Sequence, residues 1–407
     1  MNYILMAIPL FMLLILIEFA WDRYKGTGFY RLNDSVNSLA MGIYSRVTGL
    51  LFAMIPFSAY ILIYENTSLI TLSVEDTWVW IAAFVIYDLG YYWNHRIGHT
   101  LNISWASHVI HHQSEEYNLT TALRQTSIPN VTGWAFFIPM ALLGFPPIVL
   151  FAAGSFNLIY QFWVHTQHIK KLPAWYEAIF VTPSHHRVHH GKNKVYIDKN
   201  HGGVFILWDK FFGTFQRELE DEKVIYGIST QLASWNPIKG NVQFIGSLIQ
   251  DAWRTNNWFD KFTLWFRLTG YRPADMEEKY PRIKSNEAVV KYDIENSKGT
   301  KVYIFSQLIF CLVLVFVFLT MAKGLEVIQL TSGCGVLGLF LLSLSKVQEA
   351  KSWALAWEVA KFSALIATIA FIIPMSAWVV PVVMAISVFS VLALHLVGRQ
   401  KLQTELA

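Results

Sequence analysis

Residues 125–169 contain no Asp, Glu, Lys or Arg, and residues 362–394 form a second stretch without them, 45 and 33 residues long. As helices rising about 1.5 Å per residue, both would exceed the roughly 30 Å hydrocarbon core of a bilayer. Each therefore holds more than one span or a re-entrant turn. Composition agrees: of 407 residues 54% are hydrophobic and only 15% charged, against about 25% charged in a soluble domain. A soluble enzyme and a disordered chain are both excluded. The expected fold class is all-α, a polytopic membrane helix bundle.

Candidate spans cover residues 3–21, 47–64, 77–94, two within 125–169, then 302–322, 327–345, 352–373 and 375–397. Gly144, Pro146 and Pro147 split the central run and Pro374 the last one. Residues 3–17 lack a basic flank and a small-residue cleavage site, so a retained helix is expected rather than a signal peptide. The loop after the first span carries Arg23, Lys25, Arg31 and Arg46, whereas 65–76 holds Glu65, Glu75 and Asp76 and no basic residue. The positive-inside rule puts the former in the cytoplasm. Threading onward places 95–124, 170–301, Arg399 and Lys401 on that same side, whether the central pair spans fully or re-enters. The expected division is a membrane-embedded catalytic part, 1–301, with a cytoplasmic cap at 170–301, and a C-terminal transmembrane bundle, 302–407, of unknown role.

In the cap, Trp253, Trp258, Phe259, Phe262, Trp265, Phe266 and Tyr271 alternate with Lys261 and Arg267 at roughly helical spacing. An interface-lying helix and a buried core helix both fit. The net charge of +4 is too small and dispersed for a nucleic-acid partner. Cys311 and Cys334 lie in apolar segments as small buried hydrophobes. The C-terminal bundle has His395 and few charges inside its spans, and no chemistry is expected there.

Twelve of the 13 histidines fall between His95 and His201, where a uniform spread would place about three. They form boxes: His95 and His99; His108, His111 and His112; His165 and His168; His185, His186, His189 and His190. On a helix, positions i, i+3 and i+4 share one face, so each box can aim two or three imidazoles at one point. One metal accepts at most about six ligands, and imidazole suits iron, zinc, copper or nickel. Eight or more convergent histidines therefore predict a dinuclear centre, half from each repeat of the pattern. The expected ligands are His95, His99, His108, His111, His112, His165, His186, His189 and His190. His168 and His185 are weaker candidates, and His201 and His395 are read as structural.

Asp88 and Asn200 are the candidate catalytic side chains. Asp88 lies two helical turns before His95 inside an apolar span, placed to orient an imidazole through its second nitrogen or to pair with Arg96 or Arg124. Asp198, Asn200 and Asp209 close the site from the cap or form turns.

The strings HRIGH at 95–99, HVIHH at 108–112 and HHRVHH at 185–190 resemble the fatty acid hydroxylase and sterol desaturase superfamily. DLGYYWNHRIGH from Asp88, NLTTALRQ from Asn118, TPSHHRVHHGKN from Thr182, YIDKNHGG from Tyr196 and LWDKFFGTF from Leu207 are similar to its alkylglycerol monooxygenase branch. The pattern departs from that branch at Thr100, in place of an acidic residue, and at His201, in place of an aromatic one. The resemblance implies a membrane-bound non-haem di-iron enzyme, with two Fe per chain, using O2 and tetrahydrobiopterin to cleave the ether bond of an alkylglycerol into fatty aldehyde and a glycerol compound. Arg124, Asn118 and Asn200 are then candidate head-group or pterin contacts. It further implies an integral membrane protein of a bacterial inner membrane or the endoplasmic reticulum. The alternative within the superfamily is a sterol, fatty-acid or carotenoid hydroxylase or desaturase fed by an electron-transfer protein. A more distant one is a non-enzymatic membrane metal or haem protein.

Overall fold

The computed structural model describes residues 3–52, 54–129, 132–287, 290–373, 375–376 and 378–406. Pro374 lies outside them, as do the side chains of Arg399 and Lys401. Among the described residues the fold is helical, and the only β features are two isolated bridges. The longer helices are α1 (Tyr3–Lys25), α2 (Leu32–Phe52), α3 (Met54–Thr67), α4 (Thr77–Thr100), α5 (Asn102–His112), α6 (Pro147–Trp163), α7 (Pro183–His189), α8 (Pro237–Arg254), α9 (Lys298–Met321), α10 (Val327–Gln348), α11 (Ala354–Phe371) and α12 (Val379–Leu406); shorter turns of helix are left unnumbered.

The chain forms two compact units. One comprises Met1–Arg31, Ala53–Leu232 and Asn241–Lys291; the other Leu32–Phe52, Ala233–Gly240 and Tyr292–Ala407. Grouped by contacts, α2 thus belongs with the C-terminal helices, across the division expected at residue 301. Four helices among the described residues are long and apolar enough to cross a bilayer, Lys298–Gly324, Val327–Gln348, Ala354–Phe371 and Val379–Val397. The protein is a multi-pass membrane protein.

The expected span 47–64 runs over the end of α2 and α3 and includes residue 53, which lies outside the described residues. In the central run the first limb is helical only over Gly133–Leu142, about 15 Å at 1.5 Å per residue, or half a hydrocarbon core. That length suits the re-entrant alternative. The run turns at Gly144, whose φ of +80° and approach to the Ile70 carbonyl, 1.9 Å from where a Cβ would sit, require glycine. Pro146 and Pro147 then start α6, where a missing N–H costs nothing.

In the first unit α4 sets the frame for the histidines. Its buried stripe, Val79, Ala83, Asp88, Tyr92, His95 and His99, advances by three to five residues, so apolar packing and the first box share one face. Leu101 is extended (φ −109°, ψ 135°) and stops the helix. The chain then restarts as α5, which carries the second box back toward the first.

The second unit contains a polar network that hydropathy alone conceals. Lys361 on α11 donates to Glu358 at 2.7 Å and to Gln307 of α9 at 2.8 Å. Ser343 of α10 donates to Glu358 at 2.6 Å, and Tyr303 of α9 also bonds it. Gln307 donates to Ser390 of α12 at 3.3 Å. All four helices are joined through one ion pair that is excluded from solvent.

Removing one member of such a pair strands the other charge, at a cost of about 3–5 kcal/mol, whereas replacing both with apolar groups is often near neutral. Lys361→Met should therefore lower the melting temperature of the solubilised protein markedly, and Glu358→Gln combined with Lys361→Met should recover part of the loss. Equal melting temperatures for wild type and Lys361→Met would contradict the role of the pair.

Candidate metal centre

The nine expected ligands come together, and they do so in two groups. His95, His99, His108, His112 and His189 form one; His111, His165, His186 and His190 form the other. Within each group the donor atoms lie within 4.8 Å of one another. The groups share a wall: the His112 and His190 rings stack with centroids 4.3 Å apart. The division is not one group per repeat. At 100° per residue, i and i+4 point almost alike while i+3 is turned by about 100° from i+4. In the second box His108 and His112 accordingly join the first group and His111 the second. In the fourth box the assignment is mirrored, with His186 and His190 in the second group and His189 in the first. The boxes interlock the two groups.

Backbone carbonyls behind the rings fix their tautomers. The Nδ1–H of His95 donates to the His201 carbonyl at 2.8 Å and that of His111 to Arg124 at 2.9 Å. Those of His165 and His189 donate to Gln161 at 2.7 Å and to Lys199 at 3.0 Å. A neutral imidazole with its proton on Nδ1 presents a lone pair at Nε2. Burial, reinforced by neighbouring imidazoles, holds His186, His189 and His190 well below the ordinary histidine range, and burial brings His111 down to about 4. These rings are neutral at pH 7.

This donor set fits a metal. The Nε2 atoms of His111 and His165 face each other at 3.1 Å although both rings carry their proton on the far nitrogen, so two lone pairs meet. The Nε2 pairs His95 and His108, His108 and His112, and His165 and His186 stand at 3.0, 3.2 and 3.0 Å. Donors about 2.1 Å from one ion and at right angles to each other are about 3.0 Å apart. The Nε2 atoms of His99, His189 and His190 are buried with no hydrogen-bond partner, an arrangement costly without a cation.

The remaining candidates lie elsewhere. His168 stands 3.8 Å from Asp22 with its ring against Phe29, and His185 meets Thr182 at 3.3 Å; neither belongs to a group. His395 is on α12. Asp88 touches neither an imidazole nor Arg96 nor Arg124. Its carboxylate receives the N–H groups of Val204 and Phe205, the Trp208 indole and the Asn157 amide, at 2.8, 3.0, 2.9 and 2.5 Å. Gly203 permits this, since a Cβ there would lie 2.8 Å from the Asp88 oxygen. Asn200, at φ +56°, uses its amide on the His185 and Gln216 carbonyls and the Gln216 N–H. It shapes the loop whose carbonyls hold His95 and His189. Arg124 donates to Ile110 at 2.7 Å and Gln113 at 3.2 Å, and Asn118 caps a helical turn and donates to Phe29.

Two contributors escaped the sequence reading. Arg187, inside the fourth box, pairs with Glu218 at 2.6 Å and donates to the carbonyls of Thr166 and Ile169, fastening α7 beside His165. Its signal was a cation within an otherwise histidine-filled box. Glu18, the one acidic residue of the first apolar run, bonds Tyr30, Thr166 and the Leu119 N–H. His201, read from the sequence as structural, is buried with its ring 5.1 Å from that of His99 and belongs to neither group.

Comparison with known proteins supports the same reading. Residues 80–214, which include every grouped histidine, match the fatty acid hydroxylase family. The chain is 41% identical over 336 residues to the alkylglycerol monooxygenase of Homo sapiens, covering 81% of this chain and 74% of that protein. It is 41% identical to that of Danio rerio (67% and 60%) and 39% to that of Xenopus tropicalis (70% and 64%). No solved structure matches. A histidine pocket of this kind, in a chain with membrane-spanning helices and shared in sequence with these enzymes, places the chain in the fatty acid hydroxylase family, among the alkylglycerol monooxygenases, as an oxidoreductase that acts on lipid.

Proposed function

We propose that the chain is a di-iron, tetrahydrobiopterin-dependent monooxygenase that cleaves the ether bond of alkylglycerols. Two adjacent groups of five and four histidines carry this reading, together with 41% identity to proteins named for that activity. The nine grouped histidines would hold two irons, His95, His99, His108, His112 and His189 one of them, His111, His165, His186 and His190 the other. Irons held there would supply reductive activation of O2, one oxygen atom entering the C–H bond beside the ether oxygen and the other leaving as water with two electrons from the pterin. The hemiacetal so formed on the substrate collapses to a fatty aldehyde and a free glycerol hydroxyl.

The protein's own part is positional. Carbonyls of Gln161, Lys199, Arg124 and His201 keep the imidazole protons turned away from the donor side, and burial of the rings excludes water that would quench the oxidant. Asp88 and Asn200 act through the loop they brace. Residues 1–301 form the catalytic part with 170–301 as its cap. The basic loops put this face in the cytoplasm, of a bacterial inner membrane or the endoplasmic reticulum.

Purified protein given O2, a labelled alkylglycerol and tetrahydrobiopterin should release fatty aldehyde, and omission of the pterin should abolish it. Hydroxylated product formed only with an electron-transfer protein would contradict the ether-cleaving reading and favour the sterol, fatty-acid or carotenoid alternative. The interlocked groups make a second prediction. His189→Ala and His190→Ala should each lower iron toward one per chain, and the double variant should lose both. Full iron content in both single variants would contradict the assignment of ligands.

A further inference from the structure

In the first unit α8 is built inside out for a water-facing helix. Its Asn241 and Asp251 are buried, while Gln250 and Arg254 are exposed. Asn241 receives the Ser127 N–H at 2.7 Å, and Asp251 receives Arg272 at 2.9 Å and Arg282 at 2.8 Å. Leu248 is also buried, while Val242, Ile249 and Trp253 stand outward at a spacing of seven and four residues, which is one helical face. The chain then continues into a short helix, Trp258–Thr263, on which the aromatic residues are also outside. Trp253, Trp258, Phe259, Phe262, Phe266 and Leu268 are 64–84% exposed, far more contiguous apolar surface than scattered exposed residues would give.

Cations are interleaved with these rings. Lys261 lies over the Trp258 ring at 5.7 Å and Arg267 over Phe259 at 5.4 Å. Exposed aromatic rings with basic residues between them match the headgroup zone of a bilayer, where the ring body meets acyl chain and the cation meets phosphate. We infer that residues 241–268 form a platform that seats on the anionic phospholipid interface, its rings at the level of the upper acyl chain and its Lys261 and Arg267 toward lipid phosphate. The alternative of a buried core helix is removed by the exposure itself.

The platform is bonded to the corner that carries His99. Thr269 donates its N–H to the Thr100 carbonyl at 2.9 Å and its hydroxyl to the His99 carbonyl. Asn102 donates its N–H to Arg267 and its amide to Leu264, both at 3.0 Å. Seating on lipid therefore also fixes the α4–α5 corner against the bilayer surface.

The test uses the full chain reconstituted in phosphatidylcholine and phosphatidylglycerol bilayers carrying brominated acyl chains, and does not depend on the enzyme's substrate. The chain has 16 tryptophans, so the signal is the difference between wild type and the Trp253→Phe, Trp258→Phe variant. This component should be quenched several-fold more by bromine near the headgroup than by bromine at the chain ends, and little by aqueous acrylamide. In Lys261→Glu, Arg267→Glu protein with unchanged helicity and metal content, the shallow quenching should fall at least two-fold in phosphatidylglycerol-containing bilayers. Quenching by acrylamide in place of bromolipid, quenching by neither, or quenching indifferent to the charge reversal would overturn the proposal.

Discussion

Everything at the centre of this protein depends on imidazole protons being held on the outer nitrogen. Nine rings, eight of them buried and His108 half-buried, can share one pocket only if they are neutral and if their lone pairs converge; a ring with its proton turned inward would oppose a cation. Carbonyls at Gln161, Lys199, Arg124 and His201 impose that orientation on four rings, and burial keeps the protonated form unfavourable. The surrounding structure serves to put those carbonyls in place. Arg187 fastens the fourth box beside His165, Asp88 pins the turn from Val204 to Trp208, and Asn200 in its left-handed conformation presents the loop behind His95 and His189.

Sequence alone revealed the boxes because the clustering of histidine is a composition signal and the i, i+3, i+4 spacing is a helical one. It could not reveal how the boxes interlock. That depends on the second and fourth boxes approaching from directions that send their middle histidines, His111 and His189, to opposite groups, a tertiary fact without local signature. Asp88 shows the same limit. Its position two turns before His95 was legible, but the partners of a buried carboxylate are set by whichever loop folds over it, here residues 204–208.

Membrane architecture was legible where hydrophobicity is uniform and left open where a turn divides a long apolar run. The four C-terminal helices follow the expected spans within a few residues. In the central run one limb is too short to span. Glu358 and Lys361 were visible as residues within a span, yet their significance lay in partners on two other helices, Tyr303 and Gln307 of α9 and Ser343 of α10. Polar groups in apolar helices are expensive unless satisfied, and here the satisfaction is long-range.

The decisive measurement is X-ray absorption at the iron edge of the reconstituted, iron-loaded protein. Two irons per chain are expected in a nitrogen-donor shell at about 2.1 Å, with the multiple-scattering signature of four to five imidazoles per iron, as groups of four and five histidines require. One iron per chain, or a shell dominated by oxygen with fewer than three imidazoles per iron, would contradict it.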